Sequence, residues 1–115
     1  MVNIMNILFV GESYIPQMCG MTSVTKYMAE GLFRKGHKVT IATLSHNEKD
    51  KLEEIINGVY VHRFKIDRAL FKTPIGDIKS FVEFILKGSY DAYIIECIGS
   101  ITSDILIPYI CLLYP

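Results

Sequence analysis

The chain has no tryptophan, only three cysteines and four prolines, and no surplus of either charge. Each scarcity removes a class of protein. Cys19, Cys97 and Cys111 are odd in number and widely spaced, which gives neither a disulfide framework nor a Cys-x-x-Cys metal pattern and fits a reducing, cytoplasmic compartment. Twelve basic residues stand against twelve acidic ones, so no polyanion-binding surface is announced and nucleic acid is not an expected partner. No apolar run reaches the roughly 20 residues a membrane-spanning helix needs; the oiliest stretch, 101–115, is broken by Asp104 and Pro108. The first apolar run is only strand-length, lacks a basic flank and ends at Gly11-Glu12, unlike a secretory leader. No repeat, linker or low-complexity tract is present, and no polybasic helix favours membrane contact.

What is present is a chain of 115 residues, 50% apolar and 21% charged. That length suits one domain able to bury about two-thirds of the surface its unfolded form exposes. The composition fits a sheet covered on both faces. The organising stretch is 5–22: a nearly continuous apolar run over 4–11, a polar loop holding Pro16 and Gly20, and the start of an amphipathic helix. A loop at the carboxyl end of a buried strand, leading into a helix whose first N–H groups are unpaired, is where α/β sheets hold anionic ligands.

Along the helix, Val24, Tyr27, Met28, Gly31 and Leu32 recur with helical spacing and share one face, Thr22 or Ser23 can cap its start, and Lys35-Gly36 ends it. Residues 38–43 alternate as a second strand, making a right-handed βαβ crossover. Ser45-x-x-Glu48 has the form of a capping box, and 51–57 reads as a short charged helix ended by Gly58, or as a solvated loop. Residues 59–66 form a third strand, 68–74 a connection, 75–86 a second amphipathic helix stopped by Gly88, and 91–96 a fourth strand. Gly99 to Ser103 reads as a further strand-end loop before a final, nearly all-apolar helix beginning near Asp104. The expected fold is an α/β, Rossmann-like parallel sheet of order 3-2-1-4 with flanking helices.

In that order, Tyr14-x-Pro16-x-x-Cys19-Gly20, Ala29-x-x-Leu32-x-x-x-Gly36-His37-x-Val39-x-Ile41-x-Thr43 and Gly58-Val-Tyr-Val-His-Arg63 resemble the N-terminal, acceptor-side domain of GT-B glycosyltransferases of the family 4 type, over residues 5 to about 100. The resemblance implies transfer of a sugar, with retention and without a required metal, from a nucleotide-sugar donor to a glycan or lipid-linked acceptor. Donor and acceptor are substrates, and no cofactor is implied. It also implies a second domain that grips the donor, which 1–115 does not contain, and several further β-α units in this one. The 115 residues are therefore expected to form a single incomplete half-domain, inactive alone. Through a lipid-linked acceptor the resemblance allows peripheral membrane contact, and truncation after strand four would leave an apolar edge prone to self-association.

By that resemblance Cys19 and Gly20 lie at the donor phosphate, Ser13 and Tyr14 meet the acceptor, and Glu96 falls near the reacting sugar. Two residues depart from the family pattern: Cys19 stands where a glycine is usual, and Glu96 where the second histidine of a His-x-His often is. Read without the resemblance, Glu12 and Glu96 end neighbouring strands of the expected sheet and could face one crevice; at glycosidase spacing such a pair would suggest acid/base hydrolysis, a distance that sequence does not give. Gly11 and Gly20 also have a plain backbone reading in tight turns. His37 reads as structural, His46 as exposed, and His62 and Arg63 point to opposite faces of strand three; none sits at metal-ligand spacing. A dinucleotide fold would need Gly-x-Gly-x-x-Gly after strand one, and Gly11 is followed by no glycine until Gly20. The alternative from a different class is a non-catalytic α/β binding or interaction module.

Overall fold

In the computed structural model of the protein, which describes residues 4–15, 20–45, 48–68, 74–95 and 101–109, the apolar run becomes β1 (Asn6–Val10), with every residue from Ile7 onward buried. α1 (Gly20–Arg34) follows, then β2 (Lys38–Leu44), which lies parallel to β1. β3 (Glu53–Ile56) and β4 (Val59–Phe64) form an antiparallel hairpin, and β4 adds to β2 in parallel. β5 (Ile66–Arg68) and β6 (Pro74–Gly76) make a separate two-stranded ribbon. α2 (Ile78–Lys87), β7 (Ala92–Ile95), α3 (Ile101–Leu106) and a 3-10 turn, Ile107–Tyr109, complete the described chain, with β7 parallel to β1.

The fold is thus α/β around a mostly parallel sheet of five strands, ordered β3-β4-β2-β1-β7. This differs from the expected 3-2-1-4 sheet because 53–56 is neither helix nor loop but an antiparallel edge strand. Its hairpin closes through Asn57 and Gly58, with φ of 51° and 86°, and Ile56 sits opposite Val59. Asn-Gly is the pair that a two-residue type I′ turn favours, since both central residues need positive φ. The helix expected over 75–86 begins three residues late, because 74–76 is committed to β6. There Gly76, at φ 119°, is required: a Cβ would stand 2.1 Å from the Lys65 carbonyl oxygen.

Strand alternation builds one core on each face of the sheet. Ile7, Phe9, Val39, Ile41, Val59 and Val61 pack beneath α1, while Leu8, Val10, Ala42, Leu44 and Phe64 meet Phe81 and Ile85 of α2 and Leu106 of α3. α1 ends as its sequence predicts, in a Schellman arrangement: His37 donates its backbone N–H to the Leu32 carbonyl, Gly36 to that of Phe33, and Gly36 takes φ 97°.

The buried face of α1 is not the expected one. Thr22, Thr25 and Ala29 are buried and Leu32 packs beside them, whereas Val24, Tyr27 and Met28 are 55%, 79% and 44% exposed. Both stripes have helical spacing, so periodicity alone does not choose between them. The small side chains win because they let the helix lie close on the strands, and because Thr22 has a hydroxyl partner in the preceding loop. The helix also starts at Gly20, so Thr22 and Ser23 lie within its first turn and do not cap it.

Candidate functional site

At the carboxyl ends of the parallel strands, on the α1 face, polar side chains collect under the loop that follows β1. Gly11 leaves the strand with its N–H donating to the Ala42 carbonyl, so the chain is still held to β2 as it turns away. Ser13 then returns toward the helix, its Oγ 3.2 Å from Thr22 Oγ1. Tyr14 turns down into the α1-face core and is 1% exposed. The Thr43 hydroxyl is fully buried and finds no hydrogen-bond partner among the described residues.

Arg63 ties this region together. It is the register partner of Thr43, and it is 2% exposed. Its Nη2 donates to the Ile15 carbonyl at 2.6 Å, and its Nη1 donates to the Lys51 carbonyl at 2.8 Å and pairs with the Glu54 carboxylate. A buried charge is tolerated only when it is paired and its donors are satisfied. One guanidinium thereby fastens the β1–α1 loop and the β3 approach to the same strand. Beside it, Ile15, Lys49, Lys51 and Glu54 line an open cleft of about 410 Å³.

Of the expected site residues, Ser13, Tyr14 and Gly20 lie at this end of the sheet. Gly20 is the first residue of α1 and is exposed, with no atom of the described residues near where a Cβ would stand. Tyr14 lies below the loop, buried in the α1-face core. Cys19 and Glu96 lie outside the described residues, as do Pro16, His46, Cys97, Gly99 and Cys111. Glu12 is half-buried just past β1, and Val10 stands opposite Ile95 on the neighbouring strand.

Two histidines have structural work. His37 Nδ1 accepts the Met5 backbone N–H at 3.1 Å. His62 stacks on Phe64 and meets Phe84 edge-on, centroids 4.4 and 4.6 Å away, on the α2 face of the sheet. Burial lowers its pKa from the ordinary 6.5, opposed by the Glu53 carboxylate 3.6 Å from Nδ1. Among the described residues no group of three His, Cys, Asp or Glu side chains is placed to hold a metal. No described helix is long and apolar enough to cross a membrane.

Arg63 is the residue that sequence reasoning passed over. The available signal was a lone arginine on the apolar face of an otherwise Val-rich strand, in register with the valines at 59 and 61; such a charge needs partners from elsewhere in the chain. No protein-family model, curated protein or solved structure matches this chain.

Proposed function

We propose that the chain is the acceptor-side, Rossmann-like half of a GT-B glycosyltransferase of the family 4 type, transferring a sugar with retention from a nucleotide-sugar to a glycan or lipid-linked acceptor. The supporting observation is the folded-back loop at the carboxyl end of β1. Ser13 meets Thr22 in the first turn of α1, and Gly20, the first residue of that turn, is exposed. The first turn of a helix favours a phosphate through its backbone N–H donors and the helix dipole. Cys19 and Gly20 take the donor phosphate in this reading, Ser13 meets the acceptor, Tyr14 holds the loop, and Glu96 is assigned by resemblance. The donor grip belongs to a second domain, so the 115 residues alone do not turn over. The setting is cytoplasmic, with membrane contact through a lipid-linked acceptor, and the edge of β7 offers a route to self-association.

The test is saturation-transfer NMR on the protein in its full reading frame against a panel of nucleotide-sugars. Saturable transfer to the nucleotide is expected, together with its loss in Gly20→Asp. That variant sets a like charge at the phosphate point without a steric clash, and an acidic residue in a first helical turn does not harm folding. A panel without saturable transfer would sink the reading. The second reading, a non-catalytic interaction module, is favoured by one observation: the exposed apolar stripe Val24, Tyr27 and Met28 on α1. Saturable nucleotide binding that Gly20→Asp leaves intact would move the assignment toward it.

A further inference from the structure

A second concavity lies at the opposite, amino-terminal ends of the strands. It encloses about 540 Å³, within the range of small-molecule sites. Its walls are aromatic: Phe33 from the end of α1, Tyr60 from β4, Phe84 from α2 and Tyr90 from the turn before β7. Two of these rings lie close against a glycine. A Cβ at Gly58 would stand 2.1 Å from the Phe33 ring, and one at Gly88 2.1 Å from the Tyr90 ring, so glycine at both positions lets the rings sit as walls.

The polar groups of the lining are mostly engaged with the protein itself. The Tyr60 hydroxyl donates to Glu53 at 2.8 Å. The Asn6 amide donates to the Ser89 carbonyl at 2.7 Å, while its Oδ1 is buried with no hydrogen-bond partner among the described residues. Few directional hydrogen bonds remain for a polyhydroxylated ligand such as a free sugar. Among the described residues of the lining Lys38 is the one charged side chain; it is exposed and pairs with no carboxylate of those residues. Burial holds the phenols of Tyr60 and Tyr90 in their neutral form well into the alkaline range, so neither adds a negative charge to the walls.

From this geometry we infer that the amino-end cavity binds a small planar aromatic carboxylate, its ring between the aromatic walls and its carboxylate at the Lys38 ammonium. The ring contacts supply most of the affinity through apolar burial and edge-to-face packing. The ammonium, being exposed, contributes discrimination against neutral analogues more than affinity. The site is on the far end of the sheet from the loop after β1 and is independent of the glycosyltransferase reading.

The probe is indole-3-acetate, titrated into the ¹⁵N-labelled protein. Saturable amide shifts confined to Lys38, Thr40, Tyr60, Phe84, Ser89 and Tyr90 are expected at millimolar ligand or below. Indole-3-ethanol, with the same ring and no carboxylate, should bind about threefold more weakly, and the exposed Lys38→Gln variant should erase that difference while keeping the fold. Shifts that do not saturate, or that fall outside the cavity, overturn the site. Octanoate binding as tightly as indole-3-acetate overturns the aromatic assignment. Equal affinity for acid and alcohol in the unmodified protein overturns the role of Lys38.

Discussion

At the carboxyl ends of the strands, Arg63, Glu54, Ser13 and Thr22 are bonded to one another or to backbone, and Tyr14 and Thr43 are buried beneath them. At the amino ends, Phe33, Phe84 and Tyr90 stand around an open space, with the exposed Lys38 ammonium at its rim. The first arrangement fixes backbone, because each buried polar atom constrains the segment that satisfies it. The second fixes little and leaves apolar surface uncovered. A sheet of this kind can hold a loop in place at one end and accept a ligand between side chains at the other, and substitutions should separate the two behaviours.

The largest effect belongs to the carboxyl end. Arg63→Met removes the donors to Ile15 and Lys51 and leaves Glu54 without its cation. Breaking a buried pair from one side costs about 3–5 kcal/mol, toward the lower figure here because Glu54 is partly exposed and can turn to water. Urea unfolding should show a loss of about 3 kcal/mol. Glu54→Gln, which keeps an acceptor, should lose about 1 kcal/mol. A loss under about 1 kcal/mol in Arg63→Met would mean the clamp does not fix this end.

Next comes Gly58→Ala at the amino end. The residue has φ 86°, and its new Cβ would meet the Phe33 ring rather than backbone, so the ring can swing aside while the dihedral strain remains. About 1–3 kcal/mol of destabilisation is expected in the same assay, with altered ring-current shifts around the cavity. Unchanged shifts would show that Phe33 is not seated on Gly58.

These two positions also mark what was legible in the sequence. The βαβ unit, the strand at 59–64 and the helix stop at Gly36 follow from apolar density, alternation and a positive-φ glycine, all local signals. The 53–56 strand was equally local, since Asn57-Gly58 between β-branched runs announces a hairpin, but the charged Lys51 to Glu54 stretch suggested helix instead. The clamp was not local. Arg63 draws partners from 48 and 12 positions away, and no window of sequence shows that those segments converge. The cavity is assembled from five separate segments and has no sequence signature either.

Smaller again are two pH effects on the α2 face of β4. Tyr60 is raised from 10.0 to about 12, first by burial and then by its bond to Glu53. The folded state therefore favours the neutral phenol: its contribution to stability is whole below pH 10.0 and is lost as pH rises through about 12. His62 goes the other way. Burial favours the neutral ring, so its contribution is whole above pH 6.5 and is lost as pH falls through the lowered value. Tyr60→Phe should flatten the alkaline limb of a stability profile and His62→Phe the acid limb, each leaving the other limb unchanged. A single variant that flattened both would show that the two groups titrate as one unit through Glu53.

The smallest effect is expected at Tyr27 on α1, the helix that joins the two ends, running from Gly20 beside the carboxyl-end loop to Phe33 on the wall of the amino-end cavity. Tyr27 is 79% exposed, and Tyr27→Ser should change the urea midpoint by less than about 0.5 kcal/mol in free energy. Ala29 is fully buried against Ile41 and Val61, and Ala29→Leu should cost about 1–3 kcal/mol through overpacking. The pair decides which face of α1 meets the sheet. If Tyr27→Ser proved costly and Ala29→Leu harmless, the helix would be turned about its axis, Val24 and Met28 would move inward with Tyr27, and Thr22 would leave Ser13. The loop at the carboxyl end would then lose its hold on the helix start, and Phe33 its place over Gly58, so one rotation would alter both ends of the sheet at once.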